Sequence, residues 1–135
     1  MLATRLASIV GPRWVKQRAA ELVAYDADGL PGYHAMPRLA VFPGTREEVV
    51  AIVRLLAELG IGFVPRGAGT GLSGGSLASD TVLIGMNRLT RIVEIDAVNR
   101  VAHVQPGVVN ARLSRAVAPF GLQYAPDPSS QTVCT

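Results

Sequence analysis

Between Thr45 and Gly60 the apolar residues Val49, Ile52, Val53, Leu56 and Leu59 follow the spacing of one helical face. Thr45 stands in the N-cap position with Glu48 three residues on, the spacing of a capping box, and Gly60 closes the run. The pattern predicts one well-marked helix there, with its apolar face in the core. Other stretches lack this period. The segment "PGYHAMPRLAVFP" is held extended by its prolines, with Leu39 to Phe42 as a short strand. "IGFVP" and Thr81 to Met86 predict two further apolar strands, on either side of a glycine-rich stretch. "RIVEIDAVNRVAHVQPG" alternates and reads as a hairpin, Ile92 to Ile95 turning through Asp96 to Asn99 and returning as Arg100 to Gln105. A last helix starts near Asn110, carries Leu113 and Val117, and stops before Gly121. Upstream, "TRLASIV" and "RWVKQRAAELVAYDADG" read as two helical segments joined at Gly11-Pro12 and ended near Gly29. The order of elements is that of an α+β fold.

The glycine-rich stretch "PRGAGTGLSGGS", Pro65 to Ser76, satisfies three functional patterns at once. Gly69-Thr70-Gly71-Leu72-Ser73-Gly74 is a G-x-G-x-x-G dinucleotide fingerprint. Gly69 to Ser76 is a phosphate loop in which Gly75 replaces the lysine, and Gly71-Leu72-Ser73-Gly74-Gly75 is a G-x-S-x-G nucleophile elbow. The first two require the glycines to open a helix whose N-terminus faces phosphate, and the elbow likewise leads from strand to helix. Here the flanking pattern runs from strand to strand and leaves no room for a helix between Gly75 and Thr81. A Ser73 nucleophile also lacks a partner, because the one later histidine, His103, falls within an alternating strand. What remains is a loop with glycines at 67, 69, 71, 74 and 75. Such a loop is either a ligand-free turn or a concavity of backbone N–H groups that binds an anion. Thr70, Ser73 and Ser76 add hydroxyl donors, and Arg66 adds charge or anchors the loop.

Composition narrows the function classes. The chain of 135 residues is 49% apolar and 17% charged, with 14 glycines and 9 prolines, which describes a globular chain rich in turns. The net charge of +3 is spread over scattered Lys and Arg residues, and aromatic residues make up 5%, so neither a basic stripe nor a base-stacking platform forms. No nucleic-acid partner is expected. A single cysteine, Cys134, excludes an internal disulfide framework, and no apolar run approaches the roughly 20 residues of a membrane span. The expected location is the cytoplasm. No metal cluster is expected, and His34 and His103 read as an exposed linker residue and a strand-surface residue.

Three ordered stretches carry a family resemblance: "PRLAVFPGTREEVVAIVRLLAELGIGFVPRGAGTGLSGGS", then "MNRLTRIVEIDAVNRVAHVQPGVVNARL", then "GLQYAPDPSSQTVCT". From about Pro37 to Thr135 the chain resembles the FAD-binding domain of the vanillyl-alcohol oxidase and p-cresol methylhydroxylase (PCMH) superfamily. The match is strongest to its FAD-linked 2-hydroxy-acid branch, that of glycolate oxidase FAD-binding subunits and of D-lactate and D-2-hydroxyglutarate dehydrogenases. The resemblance implies the N-terminal part of a PCMH-type FAD-binding domain, a small mixed sheet with flanking helices. Residues 1–36 would be a helical extension and linker, and 37–135 the first portion of a truncated domain.

It also implies a set of cofactor contacts. The glycine loop grips the FAD diphosphate, which assigns Arg66, Gly67, Ala68, Gly69, Thr70, Gly71, Ser73 and Gly74. Pro106 and Gly107 match a turn beside the flavin, and Pro126, Asp127, Pro128, Ser129 and Ser130 match a second flavin-contacting segment. No residue is assigned a catalytic role. Superfamily members that attach FAD covalently through this loop carry histidine where Thr70 stands, so the FAD is expected to be non-covalent. The implied activity is oxidation of a 2-hydroxy acid, glycolate or D-lactate, to the 2-oxo acid by the full-length enzyme, with partner oxidase subunits or an electron acceptor. The portion in hand is expected to be inactive alone. Two alternatives stay open at this point: a non-catalytic nucleotide- or anion-binding module, and an inactive truncated remnant.

Overall fold

The computed structural model describes residues 1–30, 32–126 and 128–135. Its central strand is β4 (Val82–Gly85), every residue of which is buried. β4 runs parallel to both neighbours, β2 (Leu39–Val41) and β3 (Phe63–Arg66). β1 (Val15–Lys16) adds to the far side of β2 in the antiparallel sense, giving a mixed sheet of order β1-β2-β4-β3. A strand covered on both faces has no solvent side to mark with polar residues, which is why 82–85 reads Val-Leu-Ile-Gly.

The two faces of the sheet are closed by different means. Leu39, Val41, Val82 and Ile84 pack with Leu6 and Val10 of α1 (Leu2–Val10) and with Ile52, Leu55 and Leu56 of α3 (Arg46–Glu58). Ala40, Phe42 and Leu83 point the other way and meet Leu22 and Ala78, with Tyr25 and Val64 at the edge. The predicted α3 is present with its cap: Thr45 Oγ1 accepts the Glu48 N–H at 3.1 Å. The return bond lands one residue upstream of the usual box, since the Glu48 carboxylate accepts the Gly44 N–H at 2.6 Å.

The second predicted helix is not continuous, and this corrects the sequence reading. Pro12–Trp14 forms a 3₁₀ turn, Val15 and Lys16 pair with Val41 and Ala40, and only Ala19–Leu22 (α2) is α-helical before a 3₁₀ turn at Val23–Tyr25. Tertiary contacts outweigh local propensity here. The Trp14 ring lies under two guanidinium groups, Arg88 at 3.7 Å and Arg13 at 4.5 Å, and Arg88 also donates to the Phe42 carbonyl at 2.6 Å. With Trp14 held in this way, Val15 and Lys16 are drawn into strand geometry against β2.

The second half of the chain forms a separate two-stranded sheet, β5 (Ile92–Asp96) and β6 (Val101–Val104), with a bulge between Ile92 and Glu94. The Asp96 carboxylate closes the turn by accepting the Asn99 N–H at 2.9 Å and its Nδ2–H at 2.6 Å. These bonds, the backbone one first, hold the Asp96 carboxyl below the usual aspartate range. α4 (Asn110–Val117) lays Leu113 and Val117 against Ile92, Ile95 and Ala102, and Gly121 ends the helical run at φ 68°. The architecture is the expected α+β arrangement, a small mixed sheet with flanking helices. Among the described residues no helix is long and apolar enough to cross a membrane.

Candidate functional site

β3 and β4 are adjacent and parallel, so the chain must return along the length of the sheet between them. In most parallel pairs a helix makes this crossing. Here residues 67–81 do so as a loop of bends and turns, and no helix follows Gly75. That topology removes the helix-dependent patterns, the dinucleotide fingerprint, the phosphate loop and the elbow alike. Gly69 and Gly74 take φ of +73° and +72°, a conformation that L side chains rarely adopt, whereas Gly71 does not lie in that region. The backbone amides of Gly69, Thr70, Gly71, Leu72 and Ser73 find no acceptor among the described residues.

Arg66, the last residue of β3, lies directly beneath this loop. It is 9% exposed, its Nη1 is buried without a hydrogen-bond partner, and it forms no ion pair among the described residues. A Cβ at Gly69 would overlap the guanidinium, 2.6 Å from its Nε, so glycine at 69 is what allows the charge to reach the underside of the loop. A cavity of about 180 Å³ opens beside it, walled by Tyr25, Phe42, Arg66, Ala68 and Asn87. Burying a cation without a counter-charge costs several kcal/mol, roughly, which an anionic ligand would offset. An orphaned guanidinium and a row of unpaired amides fit a diphosphate.

Two other segments brace the loop. Asp28 Oδ2 accepts the Gly74 N–H at 3.0 Å, and the Gly29 N–H donates to the Gly71 carbonyl at 2.9 Å. From the other end of the chain, Thr135 Oγ1 accepts the Ala68 N–H at 3.1 Å and lies against Gly67, where a Cβ would meet it. Gly74 and Ala68 therefore spend their amides within the protein, which leaves the span from Gly69 to Ser73 for a ligand. The Ser76 hydroxyl is also buried without a partner.

The remaining predicted segments converge behind Thr135. A cavity of about 200 Å³ is lined by Pro106, Asn110, Tyr124, Pro126, Pro128 and Thr135 among others. Gly107 is required by the protein itself: a Cβ there would sit 2.5 Å from the Met86 carbonyl oxygen and 2.8 Å from that of Leu89. The Ser130 carbonyl accepts the N–H groups of Val133 and Cys134 in a tight turn, and Ser129 is exposed. The predicted contact Asp127 lies outside the described residues. The same turn offers the Cys134 and Gln131 carbonyls to the Asn110 and Ala111 amides, so the first amides of α4 are taken by the chain.

Sequence reasoning passed over Asn110, Asp28, Gly29 and Thr135. Asn110 is 7% exposed, its Nδ2 donates to the Pro126 carbonyl at 2.8 Å, and its Oδ1 is buried without a partner beside the cavity. Its only signal in the sequence was the start of a helix. Asp28-Gly29 looked like turn residues, with nothing local to tie them to a loop more than forty positions away.

A family model described as "FAD binding domain" matches residues 37–135. The chain is similar to the glycolate oxidase subunit GlcD of Escherichia coli (strain K12), 49% identical over 116 residues, covering 85% of this chain and 23% of that protein. It is also similar to the D-2-hydroxyglutarate dehydrogenase of Stutzerimonas stutzeri (strain A1501), 35% identical over 127 residues, covering 93% of this chain and 27% of the relative. The chain thus spans about a quarter of the length of these relatives. The solved structure of p-cresol methylhydroxylase with substrate bound superposes with a TM-score of 0.78 at 18% identity, over 98% of this chain and 27% of that one, which shows a shared fold.

Proposed function

The chain belongs to the family of FAD-binding domains, and from that premise we propose that it is the diphosphate-gripping part of a flavoenzyme that oxidises a 2-hydroxy acid to the 2-oxo acid. The observation that carries the assignment to the glycine loop is Arg66, a buried and unpaired cation under a run of unpaired amides. In this reading the amides of Gly69 to Ser73, with Arg66 below them, hold the two phosphates, and Thr70 and Ser73 add hydroxyl donors. Gly67, Ala68 and Gly74 shape the loop, through Thr135 on one side and Asp28 on the other. Pro106, Pro126 and Pro128, which line one cavity, form the wall toward the flavin with Gly107, Ser129 and Ser130 alongside, and Asn110 Oδ1 offers an acceptor to a donor entering that cavity. Bound FAD supplies the two-electron oxidant, and the protein supplies grip and orientation. With threonine at position 70, FAD is held without a covalent bond.

The substrate class rests on relatives named for glycolate and D-2-hydroxyglutarate, and the word subunit in the first supports partner oxidase subunits. The test is anaerobic addition of glycolate, D-lactate or D-2-hydroxyglutarate to the full-length flavoprotein. One of these is expected to bleach the yellow flavin band. A protein that holds FAD but is bleached by none of them would be a nucleotide-binding module and not a 2-hydroxy-acid oxidase.

A further inference from the structure

Asp28 and Gly29 precede the family-matched residues 37–135, yet they make two polar contacts to the glycine loop from outside it. Resting on the FAD reading above, we propose that Asp28 is the positioning residue of the diphosphate loop and Gly29 its spacer, so that residues 26–30 and 32–36 form a strap that decides which way the loop's amides point.

Asp28 Oδ1 accepts the Leu30 N–H at 2.9 Å, which fixes the carboxylate in its own turn, and Oδ2 then accepts the Gly74 N–H at 3.0 Å. One residue on, the Gly29 N–H takes the Gly71 carbonyl at 2.9 Å, and the Thr70 carbonyl oxygen lies so near that a Cβ on Gly29 would stand 2.6 Å from it. In a trans peptide the carbonyl and the following N–H point in opposite directions. Turning the Thr70 and Gly71 carbonyls toward the strap therefore turns the Gly71 and Leu72 amides away from it. These two amides lie in the stretch that has no acceptor among the described residues. The strap thus sorts the loop into a carbonyl side that it covers and an amide side that it leaves for an anion.

The strap itself is fixed to the sheet at both ends. The Tyr25 ring packs on Phe42 with centroids 5.3 Å apart, and the Asp26 carbonyl accepts the Ala35 N–H at 2.7 Å. The Met36 carbonyl accepts the Asp80 N–H at 3.1 Å, and the Arg38 N–H donates to Thr81 at 2.9 Å, just before β4 begins. Hydrogen bonds made by Asp28, Gly29, Met36 and Arg38 thus reach both arms of the glycine loop.

The test titrates FAD and, separately, ADP into the full-length apoprotein and its variants Asp28→Ala, Asp28→Asn and Gly29→Ala, with the apoprotein melting temperature recorded for each. Asp28→Ala and Gly29→Ala are expected to weaken both ligands about ten-fold or more, as loss of an ordered charge-assisted bond would. Asp28→Asn keeps one oxygen, which can accept the Gly74 N–H but not the Leu30 N–H as well, and is expected to recover part of the affinity. If Asp28→Ala does not fold, Gly29→Ala and Asp28→Asn carry the comparison. Wild-type affinity in Asp28→Ala or Gly29→Ala, or no recovery in a folded Asp28→Asn, overturns the positioning role. A wild-type protein that takes up neither FAD nor ADP overturns the cofactor reading on which the proposal rests.

Discussion

The burial of the Arg66 guanidinium without a partner among the described residues is relieved by an anion or by removal of the side chain. Arg66→Met separates these. The variant is expected to melt at or above the wild-type temperature, because an uncompensated buried charge is gone, while FAD affinity falls by about ten- to a hundred-fold. Parallel melting and FAD titration check it, and a variant that loses stability but keeps its FAD would make Arg66 a structural anchor. The glycine density of the loop was legible in the sequence. Which glycine serves which purpose was not. Gly69 makes room for Arg66, Gly67 for Thr135 and Gly107 for the backbone at 86–89, and each reason lies in a residue distant in sequence.

Elements with a complete local signature were the legible ones. α3 announced itself through its apolar period and Thr45-Glu48, and the hairpin through alternation around Asp96-Asn99. β1 was hidden inside a helix-like stretch, because its two residues are defined by pairing with Val41 and Ala40 and by the stacking of Trp14. The strand order, with β4 inserted between β2 and β3, is likewise a property of packing. Just after β1, Glu21 lies within 3.2 Å of both Lys16 and Arg18. The hydrogen bond from Arg18, and next that from Lys16, holds its carboxyl at about 2 instead of the usual 4.5. A carboxyl depressed by folding contributes stability that is full above its unfolded value and is lost as pH falls from about 4.5 toward about 2. Wild type is therefore expected to be slightly more stable than Glu21→Gln above pH 4.5, with the difference closing by about pH 2. Melting curves across that range check it; a gap that persists unchanged at pH 2 would show that the pair does not act through charge.

At the scale of the whole molecule, the family match covers 37–135, but the core does not stop at that boundary. Leu6 and Val10 are built into one face of the sheet and Leu22 into the other, and the strap that follows braces the glycine loop. The hold on FAD through this loop is non-covalent in the present account. Acid precipitation of the yellow full-length protein is expected to leave the flavin in the supernatant and none on the pellet.

If the amide side of the loop at 69–73 grips the FAD diphosphate, a side chain at Gly71 will expel the cofactor and spare the fold. A Cβ at Gly71 would meet no atom of the described residues within 4 Å, and its φ lies outside the positive region, so the fold has no reason to reject a side chain there. A diphosphate lying on those amides does. FAD titration of Gly71→Val, beside Ser73→Ala as a control that removes one hydroxyl, should find a wild-type melting temperature in both, affinity reduced by several orders of magnitude in the first, and a small loss in the second. Gly71→Val that binds FAD as wild type does would contradict the account.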